Sequence, residues 1–396
     1  MNKELVLVKV SGPDKPGITY SLMTVIEKGE ATLYDVGQSV THGLLSLSIL
    51  LYLNPEKSGH PVIKDLLFEA KRQGLSLDFE IINEDSEVKN SSDNQRFILS
   101  CVSRDKIGAG FLKEIAGVLS KHQINILRID KIGTNGLRSL EISTTVPEGL
   151  DWDKIKTSLM QVSSNHQVDV AFLKDNVFRR NKRLIVFDMD STLIQAEVID
   201  ELAEVHGVGA QVKQITEEAM NGRINFDESL RRRVAMLKGL EETKLKQVLE
   251  RLPLTEGAED FIRTVKSLGY KVAVISGGFS YFANAFKDRL GLDYAFSNEL
   301  DFKDGKLTGE VKQPIVNAEY KAMLLKMLAQ QLQINLEQVV AIGDGANDLP
   351  MLSVAGLGIA FHAKEIVRKK AGHHMSHGPM TSILYFLGIP GTLDGN

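Results

Sequence analysis

A chain of 396 residues with 47 Lys+Arg against 51 Asp+Glu, and so a formal net charge of −4, is too long for one ordinary core and points to two or three domains. Its 43% hydrophobic and 25% charged content is that of a globular protein, and the slightly acidic balance offers no electrostatic footprint for nucleic acid or an anionic membrane. A single cysteine, Cys101, excludes an intrachain disulfide and a thiolate zinc site; with no bilayer-length apolar run and no signal-peptide core after Met1, the expected compartment is the cytoplasm.

Residues 4–11 read as a strand, and Gly12-Pro13-Asp14-Lys15-Pro16-Gly17 as a turn opening a helix that runs to about Gly29. Strands near 32–40 and 44–53 follow, joined at His42-Gly43, then a helix near 61–73 and a strand near 75–82. The order βαββαβ is ferredoxin-like. It recurs from Arg96: a strand ends at Ser103, and Arg104-Asp105-Lys106-Ile107-Gly108 parallels Pro13–Gly17. Gly43–Ile49 is echoed by Gly136–Ile142, and a helix near 151–163 and a strand near 167–174 complete the copy. Two matches at nearly one offset mark an internal duplication. Residues 87–94 and 175–183 have linker composition, which places the units at 1–86 and 95–175.

These units resemble ACT domains, small modules that bind amino acids and often pair. Asp14 and Gly17, with their counterparts Asp105 and Gly108, match that family's strand-to-helix loop. A glycine there lets a ligand carboxylate approach the N–H groups of a helix N-terminus, although the same residues also suffice to turn the chain and cap the helix. The resemblance implies amino-acid sensing, with L-serine the expected effector, and assembly into a homodimer. The second copy lacks the first proline, which sets the two loops apart.

The pattern changes at Leu184 and holds to residue 396. Leu184–Phe187 is an apolar, β-branched run of the kind buried on both faces of a parallel sheet, and it ends in Asp188 and Asp190. Residues 195–258 read as helical. Lys271–Ile275 is a second buried strand leading into Ser276-Gly277-Gly278, and Asn298–Phe302 with Lys306–Val311 forms a hairpin around Asp304-Gly305. A helix runs from Glu319 to about Leu332. Val339–Gly343 is a third strand, leading into Asp344-Gly345-Ala346-Asn347-Asp348, and Gly356–Phe361 is a fourth. Alternating strands and helices imply an α/β, Rossmann-like parallel sheet covered on both faces.

Such sheets bind ligands at the C-terminal ends of their strands. There, four carboxylates, the Ser276 hydroxyl, glycine-freed N–H groups and Lys321 converge. Clustered acids raise one another's pKa unless a cation joins them, and oxygen-only ligands favour a hard ion such as Mg²⁺. The Gly345–Asn347 loop is too short for an EF-hand.

Asp188–Thr192, Ser276–Gly278, Lys321 and Gly343–Asp348 resemble the four ordered motifs of the haloacid dehalogenase superfamily of phosphatases. The resemblance implies that Asp188 is the nucleophile and Asp190 the general acid and then base. It implies Mg²⁺ on Asp188, the Asp190 main-chain carbonyl and Asp344, with Asp348 behind them, and phosphate contacts from Ser276, Gly277, Lys321 and Asn347. The 195–258 insert would be a helical cap. Its frames Glu197–Glu201 and Glu218–Arg233 resemble those of phosphoserine phosphatases. Alone, Glu197 and Arg233 read as helix-surface charges; in this frame they imply an ammonium partner and a bidentate carboxylate clamp, with Met220 and Phe226 as an apolar wall.

The expectation is Mg²⁺-dependent hydrolysis of O-phospho-L-serine, the last step of L-serine biosynthesis. The alternatives are another small phosphomonoester such as phosphohomoserine, or an amino-acid sensor with a vestigial phosphatase. His373-His374-Met375-Ser376-His377 reads as a surface turn, and Ser191 and Thr192 as loop-holding residues.

Overall fold

The computed structural model describes residues 4–53, 62–82, 95–133, 138–221 and 223–392, with Met220 described in its backbone only. The linker expected at 87–94, the first two residues of the echo at Gly136–Ile142 and the Met220 side chain therefore lie outside the described residues. The chain forms two compact units that divide between residues 92 and 93.

In the first unit, β1 (Glu4–Pro13), α1 (Ile18–Lys28), β2 (Thr32–Thr41), β3 (Leu44–Leu53), α2 (Val62–Arg72) and β4 (Ser76–Ile82) make an antiparallel sheet of order β2-β3-β1-β4. Alternation decides the buried face: Val6, Val8 and Val10 on β1, with Leu45, Leu47, Ile49 and Leu51 on β3. Helical spacing supplies the other wall, Ile18, Leu22 and Ile26 on α1 with Leu66 and Ala70 on α2. Gly17 opens α1 at φ 94°, a left-handed conformation that favours glycine.

The duplicate opens the second unit. β5 (Gln95–Val102), α3 (Ala109–Lys121), β6 (Asn125–Lys131), β7 (Ser139–Val146), α4 (Trp152–His166) and β8 (Asp169–Lys174) repeat the order as β6-β7-β5-β8. Its core is Leu99, Cys101, Phe111, Ile115, Leu119, Ile142 and Ile155. Gly108, the counterpart of Gly17, has φ −93° and does not need to be glycine on conformational grounds.

A six-stranded parallel sheet follows: β9 (Leu184–Phe187), β10 (Lys271–Phe279), β11 (Tyr294–Asn298), β14 (Val339–Gly343), β15 (Leu357–Phe361) and β16 (His373–Met375), in the order β11-β10-β9-β14-β15-β16. β9 is central and sorts its residues by parity. Ile185 and Phe187 pack on one face against Phe261 and Phe282; Leu184 and Val186 pack on the other against Leu324, Leu325 and Leu328. Between β9 and β10 lie α5 (Val198–His206), α6 (Gly209–Met220), α7 (Phe226–Met236), α8 (Glu242–Arg251) and α9 (Ala258–Ser267). Beyond β10 come α10 (Ser280–Leu290), the hairpin β12 (Leu300–Lys303) and β13 (Lys306–Val311), α11 (Ala318–Gln331), α12 (Leu349–Val354), α13 (Glu365–Lys370) and α14 (Ile383–Phe386).

Two strands depart from the sequence reading. Tyr294–Asn298 pairs with β10 as an edge strand, and His373–Met375 pairs with β15 and is not a surface turn. His374 is buried, 3.5 Å from Ser163 on α4, in a seam between the sheet and the second ferredoxin-like half. The fully buried Asp169 carboxylate fastens that seam, accepting from the N–H groups of Ser376 (2.7 Å), His377 (3.0 Å) and Gly378 (3.0 Å). Arg104 adds bonds of 2.6 Å each to the His377 carbonyl and the Glu256 carboxylate.

Burial holds the imidazoles of His373 and His374 down near pKa 4, while unfolded histidine titrates near 6.5. The unfolded chain then binds more protons between those values. The contribution of each imidazole is complete above about pH 6.5 and is lost as pH falls toward 4. Between pH 7 and pH 5, wild type should lose about 2 kcal/mol more unfolding free energy than His374→Gln. Denaturant unfolding of both proteins at the two pH values checks this; equal losses would contradict it.

Candidate active site

Register brings the polar residues together. Phe187, the last residue of β9, aligns with Ile342 of β14 and Val274 of β10, so Asp188, Asp344 and the Ser276 loop emerge from the same edge. Asp188 N–H donates to the Ile342 carbonyl at 2.9 Å, tying the end of β9 to the neighbouring strand. The chain then turns through Met189–Leu193, with Ser191 at φ 57°.

Lys321 sits in the first turn of α11, whose start is capped by the Asn317 side chain. It is fully buried, with Nζ 2.8 Å from Asp188 Oδ1 and 2.7 Å from Asp348 Oδ1. Asp348 also accepts from Gly345 N–H at 2.9 Å. Asp188, Asp344 and Asp348 present carboxylate oxygens within 4.8 Å of one another. Thr192 Oγ1 donates to Asp344 Oδ1 at 2.9 Å.

Asp190 lies beside this group, accepting from Val198 N–H at 3.2 Å. A Cβ on Gly278, near the end of β10, would stand 2.6 Å from Asp190 Oδ2 and 2.9 Å from Met189 Cε, so a side chain there would displace Asp190. Ser276 Oγ is buried and accepts from Gly278 N–H at 2.9 Å. Asn347 folds its amide oxygen over Gly345, where a Cβ would come within 2.1 Å of it.

The insert roofs this edge. Phe226 opens α7, with its ring 2.9 Å from where a Cβ of Gly277 would be. Glu197 opens α5 and accepts from Ser191 Oγ at 2.7 Å. Arg233 lies half-buried on the same face of α7 as Phe226, two turns on, near enough to Glu197, Asp190 and Asp200 for their charges to be felt.

The electrostatics are those of too many carboxylates in too little water. Burial, and then Asp348, raise Asp188 to about 8 despite Lys321. Burial, Glu197 and Asp188 raise Asp190 well above the carboxylate range. Burial and Asp348 lift Asp344 to about 6. Burial alone would lower Lys321, but Asp188 and Asp348 outweigh it and hold the ammonium charged. Desolvation in the cleft raises Glu197 and lowers Arg233. One ammonium cannot neutralise three converging carboxylates, so this oxygen-only set fits a hard metal cation.

Asp188, Asp190, Asp344, Asp348, Ser276, Gly277, Lys321, Asn347, Glu197, Phe226 and Arg233 thus gather at one sheet edge; of the residues expected there, only the Met220 side chain is outside the description. Asp14 and Gly17 line a separate cavity of about 330 Å³ in the first unit. Asp105 and Gly108 flank a loop whose Arg104 is docked on Glu256 and His377.

Sequence reasoning missed the braces. Asn298, fully buried at the end of β11, donates to the Gly277 carbonyl (2.8 Å) and accepts from Val316 N–H (2.7 Å), holding the Ser276–Gly278 turn. Thr255 lies where the insert rejoins the sheet, beside the Ile194–Leu254 bridge, and its hydroxyl donates to the Thr192 carbonyl at 2.6 Å. Neither belongs to a motif. Their only sequence signal is a polar residue beside an apolar run.

Family models match in three places: a haloacid dehalogenase-like hydrolase over residues 182–356, and ACT domains over 4–80 and 102–173. The phosphoserine phosphatase SerB2 of Mycobacterium tuberculosis is 39% identical over 98% of this chain and 94% of its own. A phosphoserine phosphatase of Streptomyces coelicolor is 36% identical over 97% and 92%. A solved phosphoserine phosphatase described as a phospho-aspartyl intermediate analogue superposes with a TM-score of 0.50 at 48% identity, over 52% of this chain and 99% of its own.

Proposed function

The chain belongs to the phosphoserine phosphatases of the haloacid dehalogenase-like hydrolases and carries two ACT domains, and from that premise we propose that it hydrolyses O-phospho-L-serine, with Mg²⁺, through an aspartyl phosphate on Asp188. The observation that carries this is the buried Lys321 joined to Asp188 and Asp348 at the sheet edge, beneath Glu197 and Arg233.

An Asp188 carboxylate oxygen attacks phosphorus in line, and the ester P–O bond breaks. Asp190, whose pKa is raised by burial and by the charges of Glu197 and Asp188, gives its proton to the departing serine oxygen. The resulting Asp190 carboxylate takes a proton from the water that attacks phosphorus next, releasing phosphate and restoring Asp188. Ser276 Oγ, Gly277 N–H, Lys321 and Asn347 hold the phosphoryl oxygens, oriented before charge develops. Mg²⁺ on Asp188, Asp344 and the Asp190 carbonyl, with Asp348 behind them, would offset phosphoryl charge when bound.

Thr192→Val removes the hydroxyl that fixes Asp344 without changing side-chain shape. The concentration of Mg²⁺ giving half-maximal activity is expected to rise about 10–100-fold. An unchanged requirement would remove Thr192 from metal positioning.

Glu197 takes the substrate ammonium and Arg233 its carboxylate, with Phe226 and Met220 closing over the carbon frame. A site with both charges rejects esters that leave one of them buried and unmatched. Arg233→Ala is therefore expected to raise KM for O-phosphoserine about 100-fold and leave O-phosphoethanolamine, which has no carboxylate, within about two-fold. Equal losses on both esters would contradict the clamp.

The same reading places the protein in the cytoplasm, at the final step of L-serine synthesis, as a homodimer. No helix among the described residues is long and apolar enough to cross a membrane. The ACT domains would sense L-serine or assemble the dimer; support for sensing comes from the cavity lined by Asp14 and Gly17. Calorimetric titration of the full chain with L-serine tests it, and a flat trace would leave these domains an assembly role.

A further inference from the structure

The seam between the second ACT domain and the sheet holds a cavity of about 420 Å³ that plays no part in the hydrolysis. Its volume lies within the range of small-molecule sites. Phe97, Trp152 and Phe172 form one wall, with ring centroids 4.9, 5.2 and 6.0 Å apart and tilts of 37–49°. Trp152, the only tryptophan in the chain, is still 43% exposed, so much of its indole surface lies outside the core.

The polar lining is unusual for an internal seam. Lys156 is half-buried and donates to the Ala371 carbonyl, yet no carboxylate lies within ion-pair distance of it among the described residues. An ammonium has three donors, and two of these remain. His373 and His374 border the same space and are neutral at pH 7, so they add donors and acceptors without charge. Asp153, exposed at the rim, is the one carboxylate whose charge favours the Lys156 ammonium, against the burial that opposes it, and solvent screens part of that attraction.

We infer that this cavity is a binding site for a small planar aromatic carboxylate, its ring against Trp152 and its anion on Lys156. A flat ring gains offset or edge contacts with the aromatic wall that an aliphatic chain does not. The anion supplies a directly bonded counter-charge, which the exposed Asp153 at the rim does not, through charge-assisted hydrogen bonds. The site does not depend on the phosphatase reading, because none of its residues belongs to the catalytic edge.

Trp152 makes the test direct, as the sole tryptophan emission comes from the cavity wall. The full-length protein is titrated with phenylacetate, its neutral isostere phenylacetamide, and the cation phenethylamine. Phenylacetate should change Trp152 emission saturably, with half-saturation about ten-fold lower than for phenylacetamide, and phenethylamine should be weakest. Lys156→Met should erase the preference for the acid while keeping the response to the amide, with phosphatase activity unchanged as the check on folding. Lys156→Gln serves if the methionine variant fails that check. A response that never saturates, no response, or one equal for acid, amide and amine overturns the assignment. So does an acid preference that survives both substitutions.

Discussion

Asp188→Asn is expected to lower O-phosphoserine turnover by about 10⁴-fold or more while the chain stays folded. An amide of the same shape can still accept from Met189 N–H, as Asp188 Oδ1 does at 2.8 Å, but it cannot form an acyl phosphate. Folding should survive because Lys321 keeps its 2.7 Å bond to Asp348. The Asp188 carboxylate is itself costly to ionise where it stands, which is why burial lifts it to about 8. Steady-state rates with a thermal melt on the same sample check both halves. A variant with more than about a hundredth of wild-type activity would mean that water, not Asp188, attacks phosphorus.

Lys321→Met should be damaging in a different way. It leaves Asp188 and Asp348, buried and facing each other, without their shared cation, and breaking a buried ion pair in this manner costs about 3–5 kcal/mol. The pH dependence has a definite sign. A carboxylate whose folded pKa lies above its unfolded value contributes stability below the unfolded value and loses it as pH rises through the folded one. Asp188, already at about 8 with Lys321 present, moves further up without it, so the variant should weaken steadily from pH 4 toward pH 8. Added Mg²⁺ should recover part of the loss by binding only the folded site, without restoring turnover. Unfolding midpoints across pH, with and without Mg²⁺, test this; a variant as stable as wild type at pH 8 would show that Lys321 does not offset the repulsion between Asp188 and Asp348.

The carboxylates and the Ser276 turn of the candidate site were legible because each follows a strong local signal, whereas Glu197, Arg233 and Lys321 look like ordinary helix charges and were legible only through the family resemblance. Leu184–Phe187, Lys271–Ile275 and Val339–Gly343 are apolar runs that can only be buried, and each ends abruptly in polar residues; parallel pairing then does the gathering. The duplication was legible for the same reason, through repeated alternation and the twin loops at Asp14–Gly17 and Asp105–Gly108. Tyr294–Asn298 was missed because its half-buried residues show no alternation. His373–Met375 was missed because three residues carry no period and two of them are polar. Asp169 and Arg104 join two folded halves, and a contact between surfaces leaves no pattern in either one. Asn298 acts by one hydrogen bond to a carbonyl and one from an N–H, and Thr255 by one to a carbonyl; neither looks different in sequence from any loop asparagine or threonine.

The most direct measurement is a single turnover stopped in acid within milliseconds of mixing enzyme, Mg²⁺ and O-phosphoserine, followed by peptide mass spectrometry. The expected result is phosphate bound covalently to the peptide containing Asp188, appearing before free phosphate and absent in Asp188→Asn. Free phosphate appearing at the full rate of serine release, with no modified peptide at any time, would contradict it.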